Sequence, residues 1–233
     1  MNATTLDIVT EIFSLHHDIA RKKDIIEIPN TDREILARLF KELGFTIGAE
    51  IGVERALYAE TLLKENPNLN LFAIDAWTAY KGYRDHVTQG ACDGLFAEAQ
   101  ERLKPFGERV DIIKGFSEEV FDEFEDNSLD FVYIDANHEY QHVVNDIANW
   151  SRKVKVGGIV AGHDYVKRTN KQRNYLMHVP MALRGWMESY EISPLFVLGR
   201  KDVIEGERRD KPRSWFYVKT TPPPIAPHLD KLA

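Results

Sequence analysis

Between residues 45 and 161 the apolar positions alternate between two patterns. Short continuous runs occur at 45–51 (FTIGAEI), Leu69 to Ile74, Val110 to Lys114, Leu129 to Ile134 and Gly158 to Ala161. Runs of this length and density are expected of strands buried on both faces. Between them the spacing turns helical: Leu57, Leu62 and Leu63, then about Leu95 to Leu103, then Tyr140, Val143, Val144, Ile147 and Trp150. The last set falls at i, i+3, i+4, i+7 and i+10, a single stripe facing the core. Strand and helix in alternation predict an α/β fold, doubly wound around a mostly parallel sheet.

The flanks read differently. Leu6, Ile8, Val9, Ile12, Phe13 and Leu15 share one helical face within residues 3–19, and Thr31-Asp32-Arg33-Glu34 forms an N-terminal cap for a second helix through Leu43, closed by Gly44. These helices are expected to cover the sheet edge, with a dimer contact or a lid as the other readings. After the fifth strand come a basic run with Lys167, Arg168, Lys171 and Arg173, a helix from Val179 to Ser189, and strands at Leu195 to Leu198 and Ser214 to Val218. The charged loop between those strands is expected to be mobile. The Pro-rich tail is expected to lie extended on the surface or to be disordered. The chain therefore divides into a helical cover (1–44), one α/β domain (45–220) and a tail (221–233).

At 233 residues the chain can bury a substantial core as one domain. A formal charge of −7 argues against wholesale binding to nucleic acid or anionic membrane. No run approaches the 18 apolar residues of a membrane span, the N-terminus lacks a basic segment leading into an apolar one, and the single Cys92 allows no internal disulfide. A cytoplasmic protein is the expectation. Whether it forms a homo-oligomer is left open.

Chemistry enters where the first strand meets its helix. Gly52 breaks the run at the turn, the opening unit of a sheet whose ligands sit at the carboxyl ends of the strands. A dinucleotide would need GxGxxG; this stretch reads Glu50-Ile51-Gly52-Val53-Glu54-Arg55-Ala56, with carboxylates where a pyrophosphate would lie. A cationic ligand fits instead. Asp75 ends the second strand, placed to grip ribose hydroxyls. A nucleoside carrying positive charge and no phosphate points to S-adenosylmethionine.

Taken together, GAEIGVERALYAE, LFAIDAW, IIKGFSEEV, LDFVYIDANHEYQHVVNDI and VKVGGIVAGHDY resemble the class I S-adenosylmethionine-dependent methyltransferases. They are most similar to the branch that includes macrocin-type and other sugar O-methyltransferases. The resemblance implies a Rossmann-like, seven-stranded sheet closed by an antiparallel edge hairpin. It implies that Glu50 and Gly52 shape the methionine end, that Asp75 holds the ribose, and that Gly115, Phe116 and Ser117 border the adenine, with Ser117 capping the next helix. The loop after Asp75 occupies a position that often touches substrate in this family, so Trp77, Tyr80 and Tyr83 form either an apolar wall or ordinary loop packing.

Methyl transfer to a hydroxyl needs alignment and a base. Asp135 and Asp164 end neighbouring strands, with His138 three positions past the first and His163 beside the second. Asp135, His138 and Asp164 are the catalytic candidates, with Asp135 also bordering the cofactor and His138 the candidate base. Asp135 and Asp164 can also hold a divalent metal, Mg²⁺ or a softer ion that accepts imidazole. Metal-using members carry two acids, or an acid and an amide, after the fifth strand; this chain carries His163-Asp164.

The leading reading is a methyltransferase acting on oxygen of a small acceptor, saccharide-like or anionic. The competing reading is a non-catalytic nucleoside-binding protein that serves as a sensor or subunit. A nicotinamide-dependent oxidoreductase is disfavoured by the missing glycines. A base-methylating enzyme is disfavoured by the absent Asn/Asp-Pro-Pro-aromatic motif.

Overall fold

A computed structural model of the protein describes residues 3–15, 25–80, 88–170 and 175–220. Among the described residues, ten strands run β1 (Ile25–Ile28), β2 (Ile47–Ile51), β3 (Asn70–Asp75), β4 (Val110–Lys114), β5 (Leu129–Ile134), β6 (Val154–Gly162), β7 (Arg168–Asn170), β8 (Tyr175–Met177), β9 (Leu195–Leu198) and β10 (Trp215–Val218). Seven α-helices accompany them: α1 (Thr5–Ile12), α2 (Arg33–Glu42), α3 (Leu57–Glu65), α4 (Gln89–Leu103), α5 (Ser117–Val120), α6 (Tyr140–Lys153) and α7 (Val179–Ser189).

Eight strands form one sheet in the order β1-β9-β10-β6-β5-β2-β3-β4, and β7 and β8 pair separately. The pairings β2–β3, β3–β4, β2–β5 and β5–β6 are all parallel. The chain thus winds outward from β2 through β3 to β4 and returns to build β5 and β6 on the other side. The order reverses between β2 and β5, and at such a point the loops diverge to leave a crevice.

Two features go beyond the expected seven strands. The antiparallel strand β10 lies inside the sheet between β6 and β9, and β1 takes the edge by pairing parallel with β9. With only four residues, IIEI, alternating exposed and buried, β1 gives too short a period to stand out between two helices. Other boundaries also shift. Helix α4 begins at Gln89 rather than near Leu95, because Thr88 caps it by accepting the Ala91 N–H. Strand β6 already runs from Val154, so the Gly157-Gly158 pair lies within it rather than before it. Tyr140, expected in the buried stripe of α6, is 48% exposed, while Val143, Ile147 and Trp150 are buried.

The sheet separates two apolar layers. One joins Leu36 and Phe40 of α2, Leu62 of α3 and Leu95 of α4 to Phe131 and Tyr133. The other packs Val143, Ile147 and Trp150 of α6 and Leu183 of α7 on Val132 and Val160. Gly48 decides how close α2 comes: a Cβ there would sit 2.3 Å from the Phe131 ring, and without it Phe40 stacks on that ring at 4.1 Å.

Helix α2 is fixed at its start by Asp32, whose carboxylate accepts the Glu34 and Ile35 N–H groups. The charged loop before β10 is tied to the same place instead of standing off in solvent. Arg208 pairs with Asp32 at 3.3 Å and Glu34 at 3.0 Å, and Asp210 accepts the Arg33 N–H at 2.8 Å. The expectations for Tyr83, Lys171, Arg173 and the 221–233 tail concern residues outside those described. Among the described residues no helix is long and apolar enough to cross a membrane.

Asp32→Ala should therefore lower stability by about 1 kcal/mol, read from urea unfolding. An unchanged midpoint would show that the cap does not hold the start of α2.

Candidate functional site

The crevice at the sheet reversal is a cavity of about 590 Å³, bordered by the ends of β2, β3 and β5 together with α2, α3 and α6. That volume lies in the range of small-molecule sites. Glu50, Gly52, Asp75, Gly115, Phe116, Ser117, Asp135 and His138 all border it, whereas Asp164 does not.

The turn after β2 explains its glycine. Gly52 has φ +88°, and a Cβ there would lie 2.3 Å from the Asp135 carbonyl oxygen. Glu54 and Ala56 also adopt positive φ, 52° and 61°. This costly backbone is held by Asp75, which accepts the Val53 and Glu54 N–H groups at 2.9 Å on Oδ2 and the Trp77 N–H at 2.8 Å on Oδ1. The amides that would cradle a phosphate are thus spent on a carboxylate. Asp75 has two duties, holding this turn and facing the cavity, and three of its acceptor sites are already in use.

Glu50 is the most unusual group in the cavity wall. It is 2% exposed, and among the described residues its Oε2 has no hydrogen-bond partner. Burial, then the charges of Asp135 and Asp75, push its carboxyl well above the ordinary 4.5, and Arg33 offsets this only in part. A ligand that brings a cation or a strong donor would satisfy it.

At the other end, Phe116 meets Tyr80 edge-on at 5.4 Å, and Tyr80 accepts a hydrogen bond from Asn137 at 3.1 Å. Ser117 does not cap α5, contrary to expectation. Its Oγ donates to Asp146 at 2.5 Å and accepts from Trp150 Nε1 at 2.8 Å. Asp146 borders the cavity, and burial, aided by Glu118, pushes its pKa up to about 7. Trp77 is buried, donates Nε1–H to the Glu54 carbonyl at 2.8 Å and packs on Phe96 at 4.7 Å. It packs into the core and borders the cavity as well, and Tyr80 borders the cavity too.

The structure brings Asp135, His138, His163 and Asp164 together. His138 Nε2 lies 2.6 Å from Asp164 Oδ2 and 3.7 Å from Asp135 Oδ1, and His163 Nδ1 lies 3.4 Å and 3.8 Å from the same two oxygens. Burial alone would lower the His138 pKa, but the two carboxylates outweigh it and push the value up to about 10. Asp164 is held far below the usual carboxylate range by the two imidazoles, against the effect of burial. Its φ of 57° is a further strained position at the site. One donor atom each from Asp135, His138 and Asp164 fall within 4.8 Å of one another. Despite its short approach to Asp164, His138 Nε2 makes no directed hydrogen bond there.

Two residues escaped the sequence reading. Asp146 left a trace: a carboxylate three residues past Val143 and four before Trp150 sits in a buried stripe and must have a reason to be there. Arg33, at the first turn of α2, also borders the cavity, and its position in a cap motif gave no sign of this.

The sequence of residues 46–165 matches the family described as a methyltransferase domain. The chain belongs to that family. A search of curated proteins finds no match. Among solved structures, the O-methyltransferase from Bacillus cereus in complex with SAH shares 15% identity at a TM-score of 0.55, covering 94% of this chain and 92% of that one. TomG from Streptomyces achromogenes, an O-methyltransferase of tomaymycin synthesis in complex with SAM, shares 14% identity at 0.56, covering 81% and 79%. An rRNA methylase from Streptococcus thermophilus shares 10% identity at 0.54, covering 80% and 95%. At these identities the likeness is one of fold, and the fold serves more than one class of methyl acceptor.

Glu50→Gln should raise the stability of the ligand-free methyltransferase. The fold binds the Glu50 proton more tightly than the unfolded chain does. Stability from the protonated form is therefore complete below the ordinary 4.5 and lost as pH rises through the raised value. The gain over wild type should grow with pH to about 1–3 kcal/mol at mildly alkaline pH, read from urea unfolding. A constant or negative difference across that range would mean that Glu50 is not a buried, uncompensated acid.

Proposed function

We propose that this methyltransferase moves the methyl group of S-adenosylmethionine to an oxygen of a small acceptor, saccharide-like or anionic. The observation that carries the reading is Glu50: a buried carboxyl, whose Oε2 has no hydrogen-bond partner among the described residues, in the wall of a nucleoside-sized cavity calls for a ligand with positive charge. Within that cavity Glu50 and Gly52 take the methionine end. Asp75 offers its remaining acceptor site to the ribose, and Gly115 and Phe116 flank the adenine with the Ser117–Asp146 pair behind. The SAM and SAH complexes of similarly folded O-methyltransferases support the choice of cofactor.

Transfer is an in-line displacement. The acceptor oxygen forms a bond to the methyl carbon as the carbon–sulfur bond breaks, S-adenosylhomocysteine leaves, and the hydroxyl proton must go elsewhere. Asp135 and His138 stand where cavity and cluster meet, so the acceptor hydroxyl is placed against them. A divalent cation fits the chemistry of the donor set. Asp135, His138 and Asp164 converge without a directed hydrogen bond from His138 Nε2, which suits donors arranged around an ion. Bound there, the cation would lower the hydroxyl pKa and orient the acceptor. His138 would then serve as a ligand in preference to a free base, with His163 Nδ1 3.4 Å from the same Asp164 oxygen that His138 approaches. The basic residues Lys167 and Arg168 are exposed and do not border the cavity, so an anionic acceptor would reach them only outside it.

The test is transfer of a labelled methyl group to a panel of hydroxylated small molecules, with divalent ion or chelator present. The expected result is ion-dependent transfer that falls about 10²-fold or more in Asp164→Ala. The same variant should lose Mn²⁺ binding seen by electron paramagnetic resonance while keeping its affinity for S-adenosylhomocysteine. Cofactor binding with no transfer to any acceptor would favour the sensor or subunit reading. Transfer indifferent to chelator and to Asp164→Ala would remove the metal.

A further inference from the structure

Arg33 lies outside the segment matched by the methyltransferase family, on the helical cover, yet its side chain borders the same cavity as Glu50. Its backbone is held from two sides. The N–H donates to Asp210 at 2.8 Å, and the carbonyl accepts the Tyr58 hydroxyl at 3.0 Å. The guanidinium carbon stands 5.4 Å from the Tyr58 ring centroid, and Nη1 lies 4.0 Å from Asp135 Oδ2, too far for a hydrogen bond. Among the described residues no hydrogen bond to the guanidinium is present, and the side chain is 34% exposed. A planar fork of five donors, fixed at its base and unsatisfied at its tip, faces a cavity where the other notable group is an unpartnered carboxylate. Arg33 is also close enough to Glu50 to act on its ionisation.

This pair has a chemical meaning. A carboxylate and a guanidinium bordering one cavity complement a zwitterion whose ammonium and carboxylate share one carbon, the amino-acid tail of the cofactor proposed above. We infer that Arg33 holds the carboxylate of that tail while Glu50 receives its ammonium, so that the N-terminal cover supplies half of the amino-acid recognition. The inference rests on the proposed cofactor. It also explains why a loop aspartate and a tyrosine both converge on the backbone of one residue: the fork must stand still to be selective. An arginine used only to neutralise Asp135 would sit within hydrogen-bond reach of it, and this one does not.

The experiment compares two ligands on three proteins by titration calorimetry. S-adenosylhomocysteine carries the amino-acid tail, and 5′-methylthioadenosine lacks it but keeps the nucleoside. In Arg33→Gln, affinity for the first should fall roughly 10- to 100-fold. Affinity for the second should stay within about threefold, since no charged contact to the nucleoside is lost. Arg33→Lys should recover part of the loss, because a point charge replaces the fork without its two-pronged geometry. Retained binding of 5′-methylthioadenosine also shows that each variant still forms the pocket. Equal losses for both ligands, or no loss for either, would overturn the role of Arg33 and leave the cofactor assignment standing. Failure of the wild-type protein to bind either ligand would overturn both.

Discussion

The structure turns on a carboxylate that cannot reach water. Glu50 occupies the last-but-one position of the strand at the sheet reversal, flanked in register by Ala73 of β3 and Tyr133 of β5. The strand there is buried on both faces, Glu50 is 2% exposed at the cavity wall, and its neighbours Asp135 and Asp75 add charge of its own sign. Such a group costs stability in the free protein. Much of the surrounding detail follows from keeping the cavity open in front of it. Gly52 lets the 135–136 backbone pass close by, Asp75 holds the strained turn, and Arg33 is brought in on a capped helix to give the one opposing charge. A site that binds by relieving a cost already present in the fold can select its ligand by charge before contact area matters.

The opposite side of the cavity works by a different rule. Asp135, His138, His163 and Asp164 satisfy one another's charges within a few ångströms, and Asp164 is fixed in a left-handed conformation. Whereas Glu50 stands apart with an unpartnered Oε2 among the described residues, this group gathers its donors from the loops that follow β5 and β6. The two ends match the two halves of the proposed reaction, one holding the sulfonium donor's tail and the other handling the acceptor's proton.

Much of this was legible in the sequence because parallel strands buried on both faces leave dense apolar runs, and the residue that ends each run lands at one edge of the sheet. That rule put Asp75 and Asp135 at the crevice and Asp164, outside it, next to the Asp135–His138 pair, and the resemblance added Glu50 and Phe116. The rest lay beyond local pattern. β1 is four residues long and finds its partner about 170 positions away, at β9. Ser117 reads as a cap, yet its hydroxyl goes to Asp146 on a different helix. Arg33 reads as the first turn of a covering helix, and its place at the cavity is set by the packing of α2 on Phe131 beside Gly48 and by the bonds from Asp210 and Tyr58 to its backbone. Contacts of high sequence separation set these details, and no window along the chain contains both partners.

The most direct test of the central claim is the proton balance of cofactor binding. Titration of the wild-type protein with S-adenosylhomocysteine at mildly acidic pH, in two buffers of different ionisation enthalpy, counts protons released per ligand bound. If Glu50 holds a proton in the free fold and gives it up to meet the ligand's ammonium, binding releases close to one proton, and Glu50→Gln abolishes the release along with most of the affinity. Tight binding with the same proton balance in wild type and Glu50→Gln would contradict the account, since the cavity would then select its ligand without the buried charge on which the account depends.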